Sequence, residues 1–280
     1  MSVNDKWVYR RVFGSIMRCA AIILSGGTGS RMNMDIPKQY IEVDNRMIIT
    51  ESIRPFLEQD IVSDVRIVAD KMWHDKIIDE YRVLSGDYFG NDSFLGLYKF
   101  MGFSSPGENR QLSIFNALCD IKSDWDEDGL VIIHDAARPL VSVELIDKCI
   151  AALMGFDSIT NNGFAVAGID VNSLIHDGVM PVLPMKDTVY LSEDGKVISS
   201  LLNRDRLFAG QAPEVFKIDR YLEACKKLLP DKIMDIRGST EPAVMDGMDV
   251  VMVNGDESNF KITTREDLDR YREIVELKQL

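Results

Sequence analysis

The sequence predicts an α/β protein in which a mostly parallel sheet is flanked by helices. Short apolar segments of strand length alternate along the 280 residues with amphipathic segments of helical periodicity, which favours this fold class. One apolar segment, residues 130–134, is uninterrupted up to its final histidine, as is typical of a strand inside a parallel sheet. A glycine-rich segment follows the first apolar segment, and ligands of such sheets bind beyond the carboxyl ends of the strands.

Each element is predicted from its local pattern. Residues 19–24 form an apolar segment and are the first predicted strand, and residues 47–57 are a helix because Ile49, Ile53 and Phe56 recur on one helical face. The later strands are predicted at residues 65–69, 130–134, 163–168 and 250–253. The later helices are predicted at residues 73–84, 111–121, 143–153 and 218–229, with a last helix after residue 264.

Two segments depart from this alternation. The segment 84–107 is long and rich in aromatic residues and glycine. This composition predicts an insertion with one strand near its end, at residues 97–103. Residues 180–208 alternate like β-structure, with Glu193-Asp-Gly195 as a hairpin turn between strands at 189–191 and 196–198. A hairpin that projects from an α/β core often serves as an oligomerisation arm, and a plain surface hairpin is the alternative.

The two ends of the chain are predicted separately. Residues 1–18 contain basic residues but no apolar segment of the kind found in a secretory signal, so we expect an N-terminal extension before one domain at residues 19–280. Thr264 and Asp267 form a capping box, with Asp in place of Glu or Gln, and so predict the start of the last helix.

Composition excludes several classes of partner. The net charge of −13 argues against nucleic acid and against an anionic membrane, both of which need a broad positive surface. No apolar segment approaches the about 18 residues of a membrane span. The four cysteines are far apart, with no Cys-x-x-Cys motif, which predicts reduced thiols in a cytoplasmic protein and no Cys/His metal cluster.

The glycine-rich segment, Ser25-Gly-Gly-Thr-Gly-Ser-Arg-Met32, predicts a phosphate site. Its glycines let backbone N–H groups approach an anion, and Arg31 and Lys38 add positive charge. The dinucleotide fingerprint would need a third glycine where Met32 stands, and Pro37 blocks the helix that would hold a pyrophosphate. A nucleoside triphosphate lying across the loop is therefore the favoured ligand. The candidate loop contacts are Ser25, Gly26, Gly27 and Gly29.

Charged residues at the ends of later strands add to this site. Asp135 follows the buried strand at 130–134 and needs a cation, which is either magnesium shared with substrate phosphates or the nearby Arg138. Lys261 follows the last strand and is either a solvated surface lysine or a phosphate ligand. His134 is predicted to be structural rather than a base.

The segment before the third helix offers a base-binding surface. Gly107 and Glu108 could bring backbone groups to the edge of a base, and Ser113 could either contact the base or cap the helix.

Together these motifs resemble one family, the cytidylyltransferases of the 2-C-methyl-D-erythritol 4-phosphate type, with which the ribitol-5-phosphate cytidylyltransferases share the pattern. The resemblance is carried by Gly26-Gly-Thr-Gly-Ser-Arg-Met32, Pro37-Lys-Gln-Tyr40, Arg110-x-x-Ser113, His134-Asp-Ala-Ala-Arg-Pro139, Lys186-Asp-Thr188, Arg204 through Gln211-Ala-Pro-Glu-Val-Phe216, and Asn259-Phe-Lys-Ile-Thr263.

The resemblance implies a Rossmann-like nucleotidyltransferase fold with a β-arm exchanged across a homodimer. It also implies a magnesium-dependent reaction of CTP with a polyol phosphate, giving a CDP-polyol and pyrophosphate in isoprenoid biosynthesis. Such a reaction needs no general base, because a phosphate monoester is largely dianionic at neutral pH and requires only charge compensation and in-line positioning. A ribitol-5-phosphate or other sugar-phosphate nucleotidyltransferase of cell-surface polymer synthesis, and a nucleotide-binding homologue without activity, are the alternatives.

Roles follow from the same resemblance. Arg31, Lys38 and Lys261 would contact the phosphates and act in catalysis. The nucleotide would also be bound by Gly107, Glu108, Arg110, Ser113, Asp135 and Ala136, the metal by Asp135, and the acceptor by Asp135, Arg138, Thr188 and Arg204.

The chain departs from the family pattern at several positions. The family's Gln-Thr-Pro-Gln is here Gln211-Ala-Pro-Glu214, so a hydroxyl expected near the acceptor is missing and a negative charge is added. Pro106-Gly107 stands where the family has two glycines, and the acidic motif that usually follows the arm is reduced to Ser239-Thr-Glu-Pro242.

Overall fold

The computed structural model describes residues 17–27, 36–89, 99–125, 128–155 and 174–277. Among these residues the strands are β1 (Arg18–Leu24), β2 (Glu42–Val43), β3 (Arg46–Met47), β4 (Asp64–Val68), β5 (Phe100–Ser104), β6 (Gly129–Asp135), β7 (Gly178–Pro184), β8 (Val189–Leu191), β9 (Ser200–Leu202), β10 (Phe208–Gly210), β11 (Glu214–Lys217) and β12 (Val250–Asn254). The helices are α1 (Ile48–Glu58), α2 (His74–Phe89), α3 (Arg110–Asp124), α4 (Val143–Leu153), α5 (Ile218–Lys226), α6 (Glu241–Met245) and α7 (Arg265–Leu277).

One mixed sheet forms the centre of the molecule. Its strand order is β10-β7-β11-β6-β1-β4-β5, and β12 also pairs with β7. The strands β6, β1, β4 and β5 are parallel, whereas β11 runs antiparallel to both β6 and β7. The register pairs Leu24 with Asp135, so β1 and β6 end at the same edge. The predicted fold class is confirmed.

Alternate residues of β1 build two cores, one on each face of the sheet. Cys19, Ala21 and Ile23 join the larger core with α1, α2 and α4, and Ala20 and Ile22 join the smaller core with α3 and α5. This division is the period of two expected of a strand covered on both faces. The four cysteines are free thiols.

Apart from the arm hairpin, the predicted helices and strands within the described residues are confirmed, with shifts at their ends. Helix α4 has the predicted bounds, and the helix predicted to end at residue 229 ends at Lys226. The capping box of α7 is present, because the Asp267 backbone N donates to Thr264 Oγ1 at 3.2 Å and the Thr264 backbone N donates to Asp267 Oδ2 at 2.9 Å. The strand predicted at 163–168, most of the extension at 1–18 and part of the insertion at 84–107 lie outside the described residues.

The predicted arm hairpin is correct in its first strand and wrong in its second. Strand β8 pairs with β9 at residues 200–202, not with residues 196–198. The reason is the loop: Asp194 Oδ1 accepts from the backbone N atoms of Lys196 and Val197, both at 2.8 Å, and Ser192 Oγ donates to the Val197 carbonyl. These bonds hold residues 196–197 in the turn, because side-chain acceptors compete with strand pairing.

None of the helices in the described parts of the chain has the length and apolarity needed to cross a membrane.

Candidate active site

A pocket of about 500 Å³ opens at the edge of the sheet where β1 and β6 end. Four segments that follow strands meet there: the glycine loop after β1, the loop after β5, the turn after β6, and the loop after β12. The lining residues are Leu24, Gly26, Gly27, Lys38, Gln39, Gly107, Glu108, Asn109, Arg110, Ser113, Asp135, Ala137, Lys261 and Thr263. Most of the predicted nucleotide-binding residues are thus brought together, while Arg31 and Gly29 lie outside the described residues.

The two residues that follow Lys38 form hydrogen bonds with the glycine loop. Gln39 Nε2 donates to the carbonyl oxygens of Ser25 and Gly27, each at 2.7 Å. The Ser25 hydroxyl is buried and lies 2.7 Å from the hydroxyl of Tyr40, whose ring stacks on Trp73. The sequence analysis did not assign functions to Gln39 and Tyr40, although the Pro37-Lys-Gln-Tyr40 motif contains both.

The glycine loop touches the candidate base-binding segment. A Cβ added to Gly26 would lie 2.8 Å from Pro106 Cβ, and a Cβ on Gly107 would lie 2.4 Å from Leu112 Cβ. Both distances are shorter than carbon atoms tolerate, so glycine is required at both positions. Pro106, one of the departures from the family pattern, therefore forms part of the contact between the two loops.

Ser113 forms two hydrogen bonds with the backbone of the base-binding segment. Its Oγ accepts from the Gly107 backbone N at 3.0 Å and donates to the Asn109 carbonyl at 2.9 Å. The cap of α3 is Asn109, whose Oδ1 accepts from the Leu112 backbone N, so the alternative of Ser113 as the cap is wrong. Asn109 was not singled out from the sequence, but an Asn before a helical segment is a usual cap signal.

Asp135 is paired with three cations. Its Oδ1 accepts from Arg110 Nη2 at 3.1 Å, its Oδ2 accepts from Lys261 Nζ at 2.9 Å, and Arg138 Nε lies 3.6 Å from Oδ2. Burial alone would raise the pKa of the Asp135 carboxyl, but these positive charges hold it well below its usual range. Of these three partners, only Arg138 was predicted from the sequence to pair with Asp135.

The residues of the pocket fit a magnesium ion shared with substrate. In the described parts of the chain no cluster of three His, Cys, Asp or Glu side chains could hold a metal unaided. Magnesium is usually held by one or two carboxylates together with substrate phosphates. Of the about four lone-pair sites of the Asp135 carboxylate, hydrogen bonds from Arg110 Nε, Arg110 Nη2 and Lys261 Nζ occupy three, so one is left for a metal. Asp135 is therefore suited to be the protein ligand of a metal that arrives with a nucleotide.

His134 and Ala136, on either side of Asp135, are buried. Burial lowers the pKa of the His134 imidazole to about 4, and its Nε2 lies 3.2 Å from the Arg138 carbonyl. The ring is neutral at pH 7 and serves packing. Ala136 uses its N–H and C=O for bonds to the Leu24 carbonyl and the Ser52 hydroxyl, and Ala137 lines the pocket in its place.

The candidate acceptor residues do not all reach this pocket. Arg138 lies behind Asp135, where its Nη1 donates to the Asn259 carbonyl at 2.6 Å. Thr188 and Arg204 lie on the exposed arm, where Arg204 Nη1 donates to the Lys186 carbonyl at 2.9 Å. Neither arm residue lines the pocket described here.

Two of the departures from the family pattern lie inside the protein. Ala212 is buried, and its carbonyl accepts from Asn259 Nδ2 at 2.6 Å. Glu214 is 5% exposed, and its Oε2 lies 3.8 Å from Arg110 Nη2. From the sequence, this charge was predicted to lie near the acceptor, and its contact with Arg110 was not predicted.

Comparison with known proteins agrees with this geometry. The family model of 2-C-methyl-D-erythritol 4-phosphate cytidylyltransferase matches residues 19–276. A protein of that name from Alkaliphilus oremlandii is 27% identical over 95% of this chain and 98% of its own length. A ribitol-5-phosphate cytidylyltransferase from Vibrio parahaemolyticus is 27% identical over 92% of this chain and 96% of its own length.

A solved structure shares the fold. The 4-diphosphocytidyl-2C-methyl-D-erythritol synthase from Anaerococcus prevotii superimposes with a TM-score of 0.69 and 22% identity, over 94% of this chain and all of the other.

Proposed function

We propose a reaction for this chain from the premise that it belongs to the 2-C-methyl-D-erythritol 4-phosphate cytidylyltransferase family. The chain is a CTP-dependent cytidylyltransferase, which transfers CMP from CTP to a polyol phosphate and releases pyrophosphate. We propose that its acceptor resembles 2-C-methyl-D-erythritol 4-phosphate. Ribitol 5-phosphate is the second candidate, because the Vibrio parahaemolyticus relative of that specificity is as similar to this chain as the first relative.

The observation that carries this proposal is the convergence of cations on one pocket beside the glycine loop. Lys38, Arg110 and Lys261 line the same cleft as the backbone of Gly26 and Gly27. Such a surface suits a triphosphate, and no basic side chain is needed to deprotonate a phosphate monoester that is already dianionic. The retained cations also argue against a homologue that only binds nucleotide.

Each group then has a definite task. Lys38 and Lys261 bind the triphosphate and stabilise the charge that develops on the α-phosphate, as does Arg31. The backbone at Gly107 and Glu108 faces the cytosine edge, and Ser113 fixes the shape of that segment through its two hydrogen bonds. The family is metal-dependent, and we propose that the metal is magnesium held by Asp135, where it would neutralise phosphate charge.

The acceptor is bound at the mouth of the pocket. In this proposal Asp135 and Arg138 lie on its inner side, and Thr188 and Arg204 reach it from the arm of a second subunit in a homodimer. The exposed apolar residues of the arm support a subunit contact there. They are Tyr190, Leu191, Val197, Ile198 and Leu201. We also propose that the protein acts in the cytoplasm.

Pyrophosphate release tests the reaction directly. The protein is incubated with magnesium and each of the four NTPs against a panel of polyol phosphates, and release is expected with CTP and one acceptor. Lys38→Ala should abolish release, whereas Lys76→Ala, which removes an exposed lysine paired with Glu42, should leave it unchanged. Absence of release with CTP and every acceptor would refute the proposed reaction.

A further inference from the structure

We propose that Glu214 is a positioning residue for the nucleotide: it holds the Arg110 guanidinium against the wall of the pocket. This inference rests on the proposed function and assigns a role to a side chain that does not itself line the pocket. Glu214 begins β11, which pairs antiparallel with β6, so it lies beside the strand that ends in Asp135. Its Oε2 is 3.8 Å from Arg110 Nη2, the same nitrogen that donates to Asp135.

Arg110 needs this second carboxylate because its first partner is shared. Asp135 also pairs with Lys261 and Arg138, so three positive charges surround one negative charge. The side chain of Arg110 is only 32% exposed, where charges are weakly screened and the other two cations repel it. Glu214 adds a second negative charge 3.8 Å from the guanidinium and offsets this repulsion.

Glu214 is itself fixed by the segment before α6. Ser239 Oγ donates to its Oε2 in a short hydrogen bond, and Thr240 Oγ1 lies 3.3 Å from its Oε1. The carboxylate therefore has two hydroxyl partners in addition to Arg110 and has little freedom to turn away.

The hydrogen bonds continue back to the helix that carries Arg110. The Tyr221 hydroxyl donates to the Ser239 carbonyl, and Gln111 Nε2 donates to the Tyr221 hydroxyl at 3.0 Å. Gln111 is the neighbour of Arg110 on α3, so the chain of contacts begins and ends on the same helical turn. This closed arrangement ties α3, α5 and β11 together behind the base-binding segment.

Two departures from the family pattern meet in this contact. The chain has Glu214 where the pattern has Gln, and Ser239-Thr240 within the segment where the pattern is acidic. Glu214 bonds to both hydroxyls, so these departures from the family pattern lie in one contact behind Arg110.

The test separates the charge of residue 214 from its shape. Glu214→Gln keeps a hydrogen-bond acceptor of the same size but removes the charge, and we expect the KM for CTP to rise about tenfold with kcat within about twofold, because uniform binding is lost. The double variant Glu214→Gln/Thr240→Asp returns a carboxylate from the facing segment and should recover most of the loss. Glu241→Gln is the control, since this exposed carboxylate binds the backbone N–H groups of Arg237 and Gly238 and should leave KM unchanged.

Melting temperatures and calorimetric CTP titrations accompany the kinetics. An unchanged KM in Glu214→Gln, or a double variant that stays as weak as the single one, overturns the proposal while turnover by the native protein still supports the proposed function. If the native protein binds CTP without turnover, the proposed function fails. The role of Glu214 is then decided by calorimetry: the dissociation constant for CTP should rise about tenfold in Glu214→Gln and recover in the double variant. If Glu214→Gln does not fold, Glu214→Asp is expected to raise KM about threefold, and an unchanged value overturns the proposal.

Discussion

Gln39 contributes to the pocket through the two backbone carbonyls that it binds. Its amide nitrogen donates to the carbonyls of Ser25 and Gly27, and the residue is 3% exposed, so the bond to Ser25 is buried and the bond to Gly27 is partly buried. Loss of these bonds costs about 1 kcal/mol each, because the Ser25 carbonyl keeps a second donor, the Tyr40 hydroxyl at 3.0 Å, and Gly27 is exposed to water. The shape of the glycine loop thus depends on a side chain that follows Lys38 by one residue.

Gln39→Leu should therefore impair the site more than it impairs the fold. We expect kcat/KM for CTP to fall about 30-fold, because Gly26 and Gly27 no longer present their N–H groups in one fixed arrangement. The matched control is Gln59→Leu, which removes a buried amide that donates to Asp147 and accepts from the Ile61 backbone N, and which does not line the pocket. Steady-state kinetics and thermal melts are measured for both variants. Equal losses of activity at equal melting temperatures would contradict the role given to Gln39.

Among single residues, the charged residues of the pocket could be predicted from the sequence, but the residues that hold the pocket in place could not. Lys38, Asp135 and Lys261 were predicted because a charge directly after a strand or glycine loop is unusual and has a chemical reason to be there. Gln39 and Glu214 were missed because their roles depend on which distant atoms they meet, and a polar residue in sequence does not show its partner.

Among the secondary-structure elements, helix α4 carries a carboxylate whose ionised form is disfavoured by its surroundings. Asp147 lies against the end of α1, where Gln59 Nε2 donates to it. Partial burial, with repulsion from Glu144 and Asp60, raises the pKa of the Asp147 carboxyl to about 6. A carboxyl with a raised pKa in the folded state destabilises the fold above that value, and the cost disappears as the pH falls towards its unfolded pKa of about 3.9.

Asp147→Asn should consequently stabilise the protein at pH 8 and not at pH 4. The expected gain is about 1 kcal/mol, since solvent screens a half-buried group and reduces the full electrostatic cost. Denaturant unfolding at the two pH values measures it, with Asp269→Asn as the control, because that exposed carboxylate pairs with Arg272 one turn away on α7. A gain that is equal at both pH values would contradict the electrostatic explanation.

Long periodic elements were predicted well, and short ones were not. Helices α1 and α4 show their apolar face over eleven residues each, which leaves little ambiguity. Strands β10 and β11 have three and four residues, too few for a period of two to be recognised. Their antiparallel direction depends on how the chain returns from the arm, and the register of the arm depends on Asp194, so neither could be derived from hydropathy.

For the whole molecule, the arm and the pocket are joined by one sheet. Strand β7 leads out to the arm, β10 and β11 lead back from it, and β11 lies directly beside β6. Under the proposed function, Arg204 of one subunit completes the pocket of the other. A homodimer then has two composite sites, each built from the core of one subunit and the arm of its partner.

Mixing two inactive variants tests this arrangement. Lys38→Ala and Arg204→Ala are each expected to lose turnover, and a refolded equal mixture should recover about a quarter of native activity, because half of the dimers are mixed and each has one intact site. A mixture of Lys38→Ala with Lys261→Ala is the control, since both changes lie in the core and no mixed dimer is expected to regain turnover. No recovery in the first mixture would place Arg204 in the site of its own subunit or outside it.

Asp135 gives the pocket an anion of its own before any substrate enters. Arg110, Arg138 and Lys261 are already gathered around a negative charge, already stripped of most of their water, and already held apart from one another. Under the proposed function, a triphosphate that enters meets cations that Asp135 already holds in place, and it does not have to gather them from solution. In this proposal little reorganisation energy remains for the chemical step.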